Sequence, residues 1–163
     1  MKPSNNGQIT HTHTVGSTSE LVRNADGTFT RRDLNGTIHT YSSQGLKTGW
    51  RDRSGNETRY TYTADDLLET VVEPTGQTWA FGYSGGKLAR ITDSAGRATL
   101  FEINSSGDLV AVTDPDGVTI RYGYDASHRL ISRTSALGSQ FGATYSAKGQ
   151  VTKVDEPGGG IRR

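Results

Sequence analysis

Apolar and polar residues alternate along most of the chain, and short turn-forming clusters break the alternation at a near-constant interval. Residues 114–125, DPDGVTIRYGYD, show the unit. Asp114-Pro115-Asp116-Gly117 sets a β-turn, and Ile120, Tyr122 and Tyr124 then fall on alternate positions. With Gly55 as register mark, turn glycines recur at Gly76, Gly96, Gly117, Gly138 and Gly159, in steps of 21, 20, 21, 21 and 21 residues. Gly36, 19 residues before Gly55, opens a more degenerate copy.

Three positions travel with the mark. Three residues after it stand Thr58, Trp79, Thr99, Ile120 and Phe141. Five after it stand Tyr60, Phe81, Phe101, Tyr122 and Ala143, and seven after it Tyr62, Tyr83, Ile103, Tyr124 and Tyr145. This is strand periodicity, and it points all three positions to one face. A second apolar pair follows: Leu68 and Val71, Leu88 and Ile91, Leu109 and Val112, Leu130 and Arg133, Val151 and Val154. Between the two segments lies another turn, as in SGGK (84–87), NSSGD (104–108), DASHR (125–129) and SAKGQ (146–150). Each copy therefore predicts strand, turn, strand, turn, with antiparallel hairpin connections.

Leu88 and Ile91 are three apart, which strict alternation would send to opposite faces. Either both faces of the second strand are covered or a bulge re-aims one side chain. Residues 1–23 fit the period poorly and read as a polar tail or an edge strand; residues 24–163 read as about six copies, the last truncated. The sequence stops at DEPGGGIRR, just after the turn that opens another copy, so a segment of a longer repeat protein is expected.

Composition sharpens this picture. Of 163 residues only 31% are hydrophobic, and 21 are glycine, so a thin sheet with many turns is expected in place of a thick core. The 18 basic and 17 acidic residues nearly cancel, which gives no electrostatic reason for a nucleic-acid or anionic-membrane partner. There is no cysteine, which excludes disulfides and thiolate metal sites. No apolar run approaches the length of a membrane span, so membrane insertion is not expected. The first 20 residues lack the apolar segment of a secretory signal.

The phrase RYGYDASHRLISRT, with its relatives GNETRYTYTADDLLETVVEPTG and GRATLFEINSSGDLVAVTDPDG, resembles the RHS repeat, also called the YD repeat. Tyr124-Asp125 carries the eponymous pair. The Asp-Pro-x-Gly turn is intact at 114–117 and appears as Glu-Pro-x-Gly at 73–76 and 156–159. The resemblance runs from about residue 27 to 163. It implies an all-β ribbon of consecutive antiparallel β-hairpins, curving or spiralling into part of a hollow shell, as in RHS proteins and the similar teneurins. In the bacterial relatives the shell encloses a C-terminal toxin domain and helps deliver it to other cells. It also implies a secreted or cell-surface location, and as partners the rest of a longer RHS polypeptide and its toxin. Neither the self-cleaving aspartyl protease segment that follows the repeats in those relatives nor a toxin domain is found in this sequence. A non-enzymatic structural segment without cofactor is expected.

Some residues of this scaffold have the types that carry chemistry. The recurring Asp52, Glu73, Asp93, Asp114 and Glu156 could act in pairs on a glycoside or hold calcium. Their period fits turn residues that bond their own backbone instead. His11 and His13 would share a strand face, a metal-compatible geometry with no third ligand nearby. No phosphate-cradling glycine loop opens a helix, and no Ser/His/Asp order is present. The structural residues expected are the turn glycines Gly55, Gly76, Gly96, Gly117, Gly138 and Gly159, with Asp114 and Pro115. The aromatic row (Tyr60, Tyr62, Trp79, Phe81, Tyr83, Tyr122, Tyr124 and Tyr145, with Phe101 and Phe141) reads first as sheet stabilisation. The alternative is a binding face for carbohydrate. A ribbon also ends in unpaired edge strands, so self-assembly into a homo-oligomer is a further alternative.

Overall fold

The computed structural model describes residues 10–12, 19–158 and 161–162, with side chains for 19–158. All of its regular elements are strands, and their order in the sheet is their order in the chain. Two compact units divide the sequence, Met1–Ala80 and Phe81–Arg163. The first holds β1 (Thr10–Thr12), β2 (Ser19–Arg23), β3 (Phe29–Asp33), β4 (Ile38–Tyr41), β5 (Lys47–Arg51), β6 (Glu57–Tyr62), β7 (Leu68–Val72) and the start of β8 (Thr78–Ser84). The second holds the rest of β8, then β9 (Lys87–Thr92), β10 (Ala98–Ile103), β11 (Leu109–Thr113), β12 (Thr119–Tyr124), β13 (Leu130–Thr134), β14 (Gln140–Tyr145), β15 (Val151–Asp155) and β16 (Ile161–Arg162). The fold is all-β, built of consecutive antiparallel hairpins.

One turn design recurs twelve times among the described residues. The N–H of the first residue donates to the carbonyl of the fifth, and the N–H of the fourth donates back to the first, as in Asp114 N to Val118 O and Gly117 N to Asp114 O, both 3.0 Å. This is a type I turn closed by a residue in the left-handed region, the three-residue hairpin loop. The fourth residue is glycine in ten of the twelve; Asp66 and His128, each at φ 60°, fill the other two. The first residue is a short polar one wherever its side chain can serve the turn. The Oδ1 atoms of Asp52, Asp93, Asp114 and Asp125 each accept from the N–H groups of the third and fifth residues at 2.8–3.1 Å. The hydroxyls of Ser42, Thr63 and Ser146 accept the same pair of bonds.

The Ser84–Lys87 connection differs. Only two residues, Gly85 and Gly86, lie between β8 and β9, both with positive φ (55° and 74°), the type I′ geometry. This tighter turn accounts for the one step of 20 residues in the repeat.

The spacing of the second apolar pair is explained by a bulge. Along β6 and β7 the register runs Arg59↔Val72, Tyr60↔Val71, Thr61↔Thr70 and then Tyr62↔Leu68, which leaves Glu69 as an extra residue. Leu68 and Val71 therefore both stand beside tyrosines of one face. The same slip follows Thr40, Glu102, Gly123 and Thr144. In these five strand pairs the bulge is the alternative the chain uses.

Burial is shallow. The buried residues among those described are Gly49, Thr58, Ala111 and Ala143, all small. Thr58 and Ala143 lie on the aromatic face. Ala111, at 1% exposed the most covered of them, lies on the opposite one. Its cross-strand partners are Glu102 and Arg121, whose side chains meet at 3.9 Å across it. Long charged side chains thus cover apolar surface that the hydrophobic count alone would leave bare.

Candidate functional site

The aromatic face is where the predicted binding residues stand. In the first unit, Tyr60 sits opposite Val71 and Trp79 opposite Val71 from the other side, so one valine separates the two rings. The Tyr62 hydroxyl donates to the carbonyl of Lys47 at 2.8 Å, and the Lys47 ammonium lies 5.4 Å from the centre of the Tyr60 ring. Desolvation, with the neighbouring Tyr60, raises the Tyr62 phenol above its usual range. Trp79 is 37% exposed, and its Nε1 donates to Glu73 Oε1 at 3.1 Å.

In the second unit, Tyr122 faces Arg133 and Tyr124 faces Leu130. Arg133 also faces Phe141, so a cation stands between two rings where other copies place an aliphatic residue. The Tyr145 hydroxyl donates to the carbonyl of Leu130 at 2.8 Å, and the Arg129 guanidinium lies 4.8 Å above its ring. Phe81 and Tyr83 occupy the part of β8 in this unit, half-buried like the other rings. Each face is thus a row of partly covered rings, with two of the tyrosine hydroxyls tied to the backbone of the preceding hairpin.

The turn residues predicted from sequence take one role. Gly55, Gly76, Gly96, Gly117 and Gly138 have φ of 79–86° at the fourth position. Asp114 and Pro115 hold the first and second positions of their turn. Gly159 lies outside the described residues, and Gly158 carries φ 95°. Among the turn carboxylates, Asp52 is held below the usual carboxylate range chiefly by Asn56, and Asp93 by the Arg97 backbone N–H and guanidinium. These groups are ionised and engaged with their own loops. Glu73 differs in being turned to Trp79. Among the described residues no three His, Asp or Glu side chains gather as a metal site. His13 lies outside them, and only the backbone of His11 is described.

Two arrangements were not read from the sequence. On the aromatic face, His39 Nε2 bonds Asp33 at 3.0 Å, with Arg31 on the same carboxylate at 3.0 Å. At the other set of turns, consecutive hairpins are locked side chain to loop. Lys87 donates to the Asn104 carbonyl, His128 Nδ1 bonds Asp108 at 2.7 Å, and Arg129 reaches the Ser146 carbonyl at 3.4 Å. The signal was present as pairs 17 and 20 residues apart, close to one period. The bond from His128 lowers its Asp108 partner below the usual carboxylate range, with Asn104 assisting against the opposing effect of burial.

Comparison with known proteins agrees with the repeat. The RHS Repeat family profile matches residues 104–140. No curated protein matches the chain. Among solved structures, the crystal structure of TcdB2-TccC3-Cdc42 matches with TM-score 0.62 and 18% identity over 86% of this chain and 9% of that one. The crystal structure of TcdB2-TccC3 gives 0.62, 17%, 86% and 9%. A Photorhabdus luminescens Tc holotoxin pore with a substituted TccC3 gives 0.61, 17%, 83% and 9%. The chain spans about a tenth of the length of these matched chains. Residues 104–140 thus match the RHS Repeat, and the hairpin fold is shared with the TcdB2-TccC3 structures.

Proposed function

We propose that this segment is a strip of an RHS shell wall, without catalytic activity of its own, in a secreted or cell-surface polypeptide whose C-terminal effector domain the shell encloses. The observation that carries this reading is the identity of the turn in twelve connections among the described residues: hairpin after hairpin closes in one geometry, with the Gly85-Gly86 turn a tighter variant, as a repeated wall segment requires. The engaged turn carboxylates support the non-enzymatic part. The test is limited proteolysis of the longest natural polypeptide containing these residues. Its C-terminal domain is expected to resist trypsin until the repeats are unfolded. Prompt digestion of that domain in the folded polypeptide, or the absence of any domain beyond the repeats, overturns the reading.

A second reading rests on Trp79, the exposed ring of the row, with its indole N–H held by Glu73. An oriented, half-open indole is a stacking platform for a sugar ring. Loss of glycan-array signal in Trp79→Ala would support it; a wild-type array without hits would end it.

A further inference from the structure

We propose that Asn35 is an acceptor for N-linked glycosylation on the folded chain. The sequence contains three Asn-x-Ser/Thr triplets, at Asn35-Gly36-Thr37, Asn56-Glu57-Thr58 and Asn104-Ser105-Ser106. The structure separates them. Asn56 Nδ2 donates to Asp52 Oδ2 at 2.7 Å, and its Thr58 is buried at 6% exposed. Asn104 is half-buried, its Nδ2 donates to Asp108 Oδ2 at 3.2 Å, and Lys87 covers its carbonyl. Both amides are committed to their own loops.

Asn35 is exposed at the tip of the 33–37 turn. Its Oδ1 accepts the Thr37 N–H at 2.9 Å, and among the described residues nothing accepts from its Nδ2. The bond at Oδ1 pulls electron density from nitrogen to oxygen and brings the residue-37 hydroxyl's backbone to the amide. Asp33 stands two residues earlier, the acidic position that bacterial oligosaccharyltransferases read; Asn56 has Ser54 there, and Asn104 has Glu102. Asn35 alone combines the acidic residue, the hydroxyl residue, exposure and a free amide nitrogen.

The donor would be an oligosaccharide linked to a lipid pyrophosphate. Nδ2 attacks the sugar C1, the C1–O bond to pyrophosphate breaks, and the lipid pyrophosphate leaves with the electron pair. Nδ2 passes one of its protons, by way of solvent, to the departing pyrophosphate anion and keeps the other.

The experiment incubates the purified, folded chain with a bacterial oligosaccharyltransferase and a lipid-linked oligosaccharide, and reads intact mass and tryptic peptides. One glycan mass is expected, on the peptide containing Asn35. Asn35→Gln and Thr37→Ala should each abolish it, whereas Thr37→Ser, Asn56→Gln and Asn104→Gln should keep it. A folded chain glycosylated first at Asn56 or Asn104 overturns the proposal. So does a folded chain left unmodified while the free 31–39 peptide is glycosylated in the same reaction.

Discussion

Asp66 and His128 hold φ of 60° at a turn position that glycine fills elsewhere, and they do so at different cost. A side chain in the left-handed region carries a penalty of roughly 1–2 kcal/mol, less for Asp, whose short polar group suits it. Among the described residues the Asp66 side chain makes no hydrogen bond or ion pair, and Asp66→Gly is expected to raise unfolding stability by about 0.5–1 kcal/mol. Gly55 has φ 86° and nothing within 4 Å of where a Cβ would stand. Gly55→Ala is therefore a test of backbone strain alone, and it should lose about 1–2 kcal/mol. Urea unfolding of the two variants measures both signs. Equal stabilities would mean that the turns tolerate either residue and that the glycine register is a composition effect. His128→Gly should gain less than Asp66→Gly, because it also breaks the bond to Asp108.

At the scale of a hairpin, the bulge and the small residues beside it set which face each side chain takes. Gly123 is the position just before the slip between β12 and β13, and a Cβ there would meet Ser132 Oγ at 2.4 Å while remaining 3.7 Å from Ser132 Cβ. Its φ lies outside the positive region, so the obstacle is contact and not backbone strain. Gly123→Ala is expected to cost about 1 kcal/mol, the low end of what overpacking costs, because the clashing atom is the movable Ser132 hydroxyl. Gly123→Ala with Ser132→Ala should recover most of it, because only the hydroxyl stands in the way. A double-mutant cycle with no coupling would sink this account of the glycine. The same element shows what the sequence could and could not disclose. Strand period, turn glycines and the tyrosine column were legible because each depends on residues within one copy. The bulge was not: the three-residue spacing, as in Leu88 and Ile91, announced a conflict in period, and pairings such as Leu68 with Tyr62 and Val71 with Tyr60 resolved it in other copies. Cation contacts such as Arg129 over Tyr145, and the Glu102–Arg121 cover on Ala111, depend on how far long side chains reach across strands. No local pattern encodes that reach. The sequence grouped the rings by strand period but did not distinguish Trp79, the exposed one, whose indole N–H donates to Glu73.

Within each unit, the strand contacts among the described residues run between neighbours in sequence, so stability there is a chain of adjacent terms and not one shared core. The same carboxylate device recurs along that chain, and its pH dependence should therefore accumulate. Asp52 is held low mainly by Asn56, Asp93 by the Arg97 backbone and side chain, and Asp108 by His128. Asp125 is held low on balance: burial opposes the shift, and the Arg129 backbone and guanidinium outweigh it. Each folded carboxyl thus lies below its ordinary 3.8. A group depressed on folding contributes stability above its unfolded pKa and loses it as pH falls through the folded one. The melting temperature by circular dichroism should change little on account of these groups between about pH 7 and 5, and fall below about pH 4. Because the lost bonds sit in separate turns, the transition should also broaden as it moves, hairpins loosening at different points. Asp93→Asn with Asp125→Asn should lower the melting temperature at neutral pH and flatten the acid limb, since the amides can cap the turns but cannot titrate. An acid limb equally steep in that variant would show that the pH dependence arises outside these turns.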